Sequence, residues 1–134
     1  MTILFLSVEE VIDIHRSTLS QSGSPDINKL EGAIHRIHSL YHYEGVEDVF
    51  QFAAMYLIAI AKAHAFHDGN KRTAFQSVCI FLMINGVELN SSYELVKLTV
   101  LAAIGEANRE NTAFTLKVLS NYHSELIEDS TSGY

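Results

Sequence analysis

The sequence predicts an all-α fold, a compact bundle of about six helices around a central buried helix pair. Three observations carry the prediction: apolar residues recur at helical spacing along most of the chain, Ser-x-x-Glu boxes and one Asn-Gly pair mark starts and a stop of those stretches, and no segment reads as a convincing β-sheet, a repeat or a low-complexity linker.

Ser7-Val-Glu-Glu10 has the form of a capping box, and Val8, Val11, Ile12, His15 and Leu19 follow at helical spacing, so the first helix runs from about Val8 to Leu19. The segment SQSGSPD, residues 20–26, holds the only proline and ends it. Asn28-Lys-Leu-Glu31 offers a second capping box, with Leu30, Ile34, Ile37 and Leu40 or Tyr41 on one face behind it. The stretch YHYEGVED, Tyr41 to Asp48, contains Gly45 and three rings and reads as a loop or short hairpin.

From Val49 to His64 only Gln51 and Lys62 interrupt an apolar run, which marks a helix enclosed by others. Lys71 to Asn85 is again helical and mostly apolar, and Asn85-Gly86 supplies a left-handed stop. Ser91-Ser-Tyr-Glu94 makes a further capping box ahead of Leu95, Leu98, Thr99 and Ala102. A last helix is expected to begin near Thr112 and to carry Phe114, Leu116, Val118, Leu119 and Tyr122. Residues 1–126 then form one domain and residues 127–134 a polar tail.

The composition narrows the function. A hydrophobic content of 48% over 134 residues supports a core rather than disorder. Nine Lys+Arg against sixteen Asp+Glu give a net charge of −7, so direct nucleic-acid binding and an anionic membrane are disfavoured and any phosphate must be captured locally. Cys79 is the only cysteine, which excludes an intrachain disulfide, fits a reducing compartment and reads as core filling. Ile3–Leu6 is too short for a signal-peptide core, and Phe52–Ala61 is too short to cross a bilayer, so a cytoplasmic protein is expected.

The chemistry concentrates in HAFHDGNKRTAF, His64 to Phe75, which joins the two most apolar helices. Asp68-Gly69-Asn70 bends the chain and leaves free backbone N–H groups at the start of the following helix, an arrangement that attracts anions. Lys71 and Arg72 add positive charge at that end, where cations oppose the macrodipole unless an anion joins them. The residues alone also allow a plainer reading, with Lys71 and Arg72 solvated and Asn70 or Asp68 serving as the N-cap. His64 closes the preceding helix close to the same pocket; as a neutral imidazole it would take a proton from an attacking hydroxyl, although a helix C-terminus favours the charged form. Asp68 suits Mg²⁺ held jointly with nucleotide phosphates, and Phe66 an anchor for the loop.

His64, His67 and Asp68 also invite a transition-metal reading, and His67-Asp68 resembles the doublet of the helical HD-type phosphohydrolases. That fold needs a distant downstream aspartate, and the only Asp after Asp68 is Asp129, in the tail. His15, His35, His38 and His42 are spread over separate segments and are expected at surfaces or interfaces rather than in one metal cluster.

The run HAFHDGNKRTA resembles the signature of the Fic/Doc family in its Doc (death-on-curing) toxin branch, where His-x-Phe-x-Asp-x-Asn-Lys-Arg replaces the Fic form ending Gly-Asn-Gly-Arg-x-x-Arg. Weaker similarity extends through LSVEEVIDIH, KLEGAIHR and FLMINGVEL. The resemblance implies a compact helical fold and transfer of part of ATP to a protein hydroxyl, with ATP and Mg²⁺ as cofactors. It makes His64 the general base, Phe66 the anchor and Asp68 a Mg²⁺ ligand, assigns phosphate contacts to Gly69, Asn70, Lys71 and Arg72, and places a target flap at Tyr43, Glu44 and Gly45.

AMP-transferring Fic proteins have glycine where Lys71 stands and a second arginine where Phe75 stands. Those departures favour transfer of the γ-phosphate by a kinase-like reaction, whereas Gly69, where alanine can occur in Doc sequences, brings the loop nearer to Fic and keeps AMP transfer as the alternative. The resemblance further implies elongation factor Tu as target, growth arrest through translation, and a toxin–antitoxin system. No inhibitory Ser/Thr-x-x-x-Glu-Gly/Asn helix occurs: Glu31-Gly32 lacks the upstream hydroxyl and Ser39 lies one residue too far from Glu44-Gly45. A small antitoxin in trans is therefore the expected regulator, and a catalytically inactive binding protein is the contrasting class.

Overall fold

A computed structural model describes residues 2–19, 23–90 and 93–120. Its helices are α1 (Val8–Thr18), α2 (Ile27–His42), α3 (Val49–Ala63), α4 (Asn70–Ile84), α5 (Tyr93–Ala103) and α6 (Arg109–Val118), and among the described residues the only β pairing is an isolated bridge between Leu89 and Ser120. The all-α expectation holds.

Helix α3 is the axis, packed against α2, α4, α5 and α6. Phe50, Phe52, Ala53, Ala54, Tyr56, Leu57, Ala59, Ile60 and Ala61 are all buried, which is why the segment is apolar on every side rather than along one stripe. Helix α4 is the less enclosed partner. It buries one face, Thr73, Ala74, Ser77, Val78, Phe81 and Leu82 at intervals of four, and exposes Met83 and Ile84. Cys79 is a free, half-buried thiol that packs against the core, and burial pushes its pKa up, away from the reactive thiolate.

Several boundaries differ from the sequence expectation. The α1 capping box forms as read, Ser7 Oγ accepting from Glu10 N–H and Glu10 Oε1 from Ser7 N–H. Helix α2, however, is capped by Asp26, whose carboxylate accepts from Lys29 N–H at 3.2 Å, so the Asn28–Glu31 box lies inside the helix. At its other end α2 continues through Tyr41 and His42, because the Tyr41 ring is held edge-on by Phe5 at 5.4 Å. The loop before α3 is correspondingly shorter. Helix α6 starts at Arg109 rather than near Thr112, with Asn108 accepting from Asn111 N–H at 3.0 Å, and Phe114, expected on its apolar face, is 69% exposed. Ser91 and Ser92 of the proposed α5 cap, Tyr122 and the tail 127–134 lie outside the described residues.

The N-terminal segment fastens α3 to α4. Tyr56 Oη, fully buried, accepts from Leu6 N–H at 2.8 Å and donates to Leu6 O at 3.1 Å. Asn85, at the end of α4, accepts from Leu4 N–H and donates to Leu4 O, both at 2.9 Å. These contacts hold the two helices that carry the motif loop. No helix among the described residues is long and apolar enough to cross a membrane.

Candidate active site

The loop between α3 and α4 is entered and left through left-handed residues. His64, the C-cap of α3, has φ 51° and ψ 42°, and it is the only non-glycine with positive φ among the described residues. That conformation costs on the order of 1 kcal/mol and belongs to the local turn, since histidine is one of the few side chains that tolerate it. Gly69, the N-cap of α4, has φ 79°, and a Cβ there would strike Leu19 Cδ1. The positive φ favours glycine, and a larger residue would also displace the end of the Leu19 side chain.

Between these two points the loop is tied to itself. Asn70 Oδ1 accepts from Phe66 N–H at 3.1 Å and Asn70 Nδ2 donates to Phe66 O at 2.8 Å. Asp68 Oδ1 accepts from Gly69 N–H at 2.8 Å. Phe66 is buried. Its ring stacks on His15, with centroids 3.9 Å apart and 11° between planes, and His15 Nε2 lies 2.8 Å from Asp68 O. A carbonyl oxygen can only accept, so Nε2 carries the hydrogen.

His15 is the residue whose position differs from the sequence expectation. It was expected at a surface or interface, and it is 4% exposed on the buried face of α1. A signal was present: its spacing from Val8, Val11 and Ile12 put it on the apolar side of α1. The other three, His35, His38 and His42, do lie on one outer stretch of α2, where the rings of His38 and His42 meet edge to face with centroids 6.3 Å apart.

Neither Asp68 nor Asn70 caps α4, because both side chains are spent inside the loop. Gly69 offers no side-chain acceptor, and the first turn contains no acid. Among the helices whose N-caps are described, α1, α2, α3 and α6 each receive a side-chain cap, and α4 does not. The first intrahelical bond of its start is Thr73 N–H to Gly69 O, leaving the N–H groups of Asn70, Lys71 and Arg72 for another acceptor. They open onto a cavity of about 450 Å³ lined by Leu19, Ala61, His64, His67, Asp68, Gly69, Asn70, Lys71, Arg72 and Ala103.

The cavity therefore gathers two exposed imidazoles, a carboxylate and two exposed cations around an uncapped helix start. Asp68 keeps one carboxylate oxygen outside its loop hydrogen bond, suited to a hard cation that phosphates complete, whereas among the described residues no group of three His, Cys, Asp or Glu is placed to hold a metal ion by itself. Asn70 retains one amide hydrogen and its backbone N–H for an anion.

Tyr43, Glu44 and Gly45 do not line this cavity. They form the turn that ends α2, with Gly45 at φ 67°, and Glu44 lies 3.9 Å from the Arg109 guanidinium, which also donates to Gln51. They sit before the N-terminus of the fifteen-residue α3 and His64 follows its C-terminus, which at helical rise separates them by roughly 22 Å. Leu19, after α1, and Asp26, before α2, are beside the motif: Leu19 lines the cavity, and Asp26 N–H donates to Ala65 O at 2.6 Å.

A family model described as the Fic/DOC family matches residues 5–82, a span running from the N-terminal segment through the motif loop and most of α4. The chain is 41% identical over 118 residues to the protein kinase doc of Escherichia phage P1, covering 85% of this chain and 94% of that protein. It is also 35% identical over 71 residues to the toxin Doc of Mycolicibacterium smegmatis, covering 52% and 55% of the two chains. With most of its folded core under the family model and the motif loop closed upon itself at the end of α3, this chain belongs to the Fic/DOC family.

Proposed function

We propose that this protein is a Doc-type toxin, a Mg-ATP-dependent phosphotransferase that modifies a hydroxyl of a translation protein, with elongation factor Tu as the expected target and a small antitoxin in trans as its regulator. The observation that carries the reading is the uncapped start of α4, where three backbone N–H groups, Lys71 and Arg72 face the cavity that also holds His64 and Asp68. Such a helix start favours polyanions, and cations in its first turn are stabilised once an anion is bound.

ATP and Mg²⁺, when bound, supply the phosphoryl group and neutralise its charge. The chain's own residues bind and position. Gly69, Asn70, Lys71 and Arg72 would hold phosphate oxygens, Asp68 would hold the cation through its remaining oxygen, and His64 would accept the proton of the substrate hydroxyl. His15 and Phe66 keep the loop in the shape that lets these groups converge.

Two observations support γ-phosphate transfer over AMP transfer. Lys71 stands where AMP-transferring relatives have glycine, and Phe75, where they have a second arginine, is half-buried against the core and offers no charge to a terminal phosphate. The name of the phage P1 relative, protein kinase doc, points the same way.

The test is to incubate the purified protein with Mg²⁺, bacterial lysate and ATP labelled at the α or the γ phosphate, with His64→Ala as control. Labelling of one protein band from γ-labelled ATP, reduced at least about 10²-fold by His64→Ala, is the expected result. Label from the α position would make the protein an AMP transferase, and no label from either would leave a binding protein.

A further inference from the structure

Beside the catalytic cavity, the first half of α2 and the end of α3 enclose a second trough of about 370 Å³. Gly32, Ala33 and Ala63 form its low floor, and a Cβ built on Gly32 would meet nothing within 4 Å. Lys29, Arg36 and Lys62 stand around it with Asn28, and no carboxylate lines it.

Exposed cations are ordinarily just solvated, so their distribution decides. The chain has nine Lys+Arg. Among the described residues Arg16, Lys97 and Arg109 are in ion pairs and Lys117 has an interaction of its own. The other five divide between two adjacent concavities: Lys71 and Arg72 at the catalytic cavity, Lys29, Arg36 and Lys62 at the trough. In a chain of net charge −7, those five cations are gathered at two neighbouring concavities.

The two concavities are mechanically joined. Lys62 follows Ala61, which lines the catalytic cavity, and precedes His64 by two residues. The backbone bond from Asp26 N–H to Ala65 O fixes the start of α2 to the motif loop. An anionic side chain held at Lys62 therefore sits within about two to four extended residues of a hydroxyl presented to His64.

We propose that this trough is a docking subsite for an acidic segment of the protein substrate, reading carboxylates a few residues from the modified hydroxyl; this rests on the phosphotransfer reading above. Arg36 offers the planar fork that matches a carboxylate, and Lys29 and Lys62 add two further positive charges among the lining residues. The trough lacks the aromatic platforms on which nucleic-acid bases stack, and three cations over such a volume suit one or two side chains rather than a phosphate backbone.

The experiment uses the full chain, the double variant Lys29→Glu/Arg36→Glu, and Lys97→Glu/Lys117→Glu on α5 and α6 as a charge-matched control. Fluorescence anisotropy with a labelled Glu/Asp-rich hexapeptide, and separately with a single-stranded oligonucleotide, measures binding directly. The expected result is salt-sensitive peptide binding that weakens at least about tenfold in the double variant and not in the control. In the γ-label assay, transfer by the double variant should fall about tenfold at dilute lysate and converge on wild type at saturating lysate, with the same ATP dependence. Equal peptide binding by all three proteins, or preferential loss of oligonucleotide binding, overturns the proposal. Wild-type transfer unaffected by the double variant overturns docking while leaving the phosphotransfer reading intact. If wild type transfers no label at all, that reading fails, and peptide binding alone decides whether the trough takes acidic chains.

Discussion

The imidazole of His15 lies flat on the ring of Phe66, 3.9 Å between centroids, and its Nε2–H donates to Asp68 O at 2.8 Å. One side chain of α1 thereby holds both the anchor and the acidic residue of the motif loop. His15→Phe keeps a stacking ring and removes the donor; it should lower stability by about 1–3 kcal/mol. His15→Ala also opens a void and should cost about 2–4 kcal/mol. Chemical denaturation measures both, and Mg²⁺-dependent ATP binding should weaken in the Phe variant even where the protein remains folded.

Tyr56→Phe tests the attachment of the N-terminal segment. Burial pushes the Tyr56 phenol up, so it stays protonated and can both accept from and donate to Leu6. Without the hydroxyl two buried backbone groups lose their partner, at about 1–3 kcal/mol. The denaturation midpoint should fall by that amount, and the Leu6 amide should exchange with solvent faster.

Gly69→Ala places a side chain at φ 79° and against Leu19. A loss of about 1–2 kcal/mol is expected from the backbone conformation and the contact together. In a Leu19→Ala background the contact part disappears, so a double-mutant cycle by thermal unfolding should give a coupling energy of at least about 0.5 kcal/mol.

His38 gives the fold a pH dependence. Its pKa is lowered from 6.5, first by burial and then by the nearby His42 and His35. Below pH 6.5 the unfolded chain takes up the proton more readily than the folded one, so the contribution is fully present above that pH and is lost as pH falls toward the lowered folded value. Melting temperature should decline just below pH 6.5, and His38→Asn should flatten that part of the profile.

The helices and the motif were legible because they depend on local pattern. Periodicity placed α1, α3 and α4, and the eleven-residue run from His64 to Ala74 announced the family without any coordinates. Boundaries were less legible where tertiary contacts compete with local signals. The Phe5–Tyr41 contact carries α2 two residues into an expected loop, and Asp26 caps it ahead of an equally plausible Asn28.

Sequence by itself therefore determined the fold class, the residues of the loop and the sign of the charge they carry. Tertiary structure alone decided which residues meet. It turned Asn70 inward to close the loop, brought His15 from α1 under Phe66, and set Tyr43, Glu44 and Gly45 at the far end of α3 from His64. The physical reason is range: helix propensity and capping act over one or two turns, whereas the contact of His15 with Asp68 spans 53 positions and forms only when α1 packs against α4.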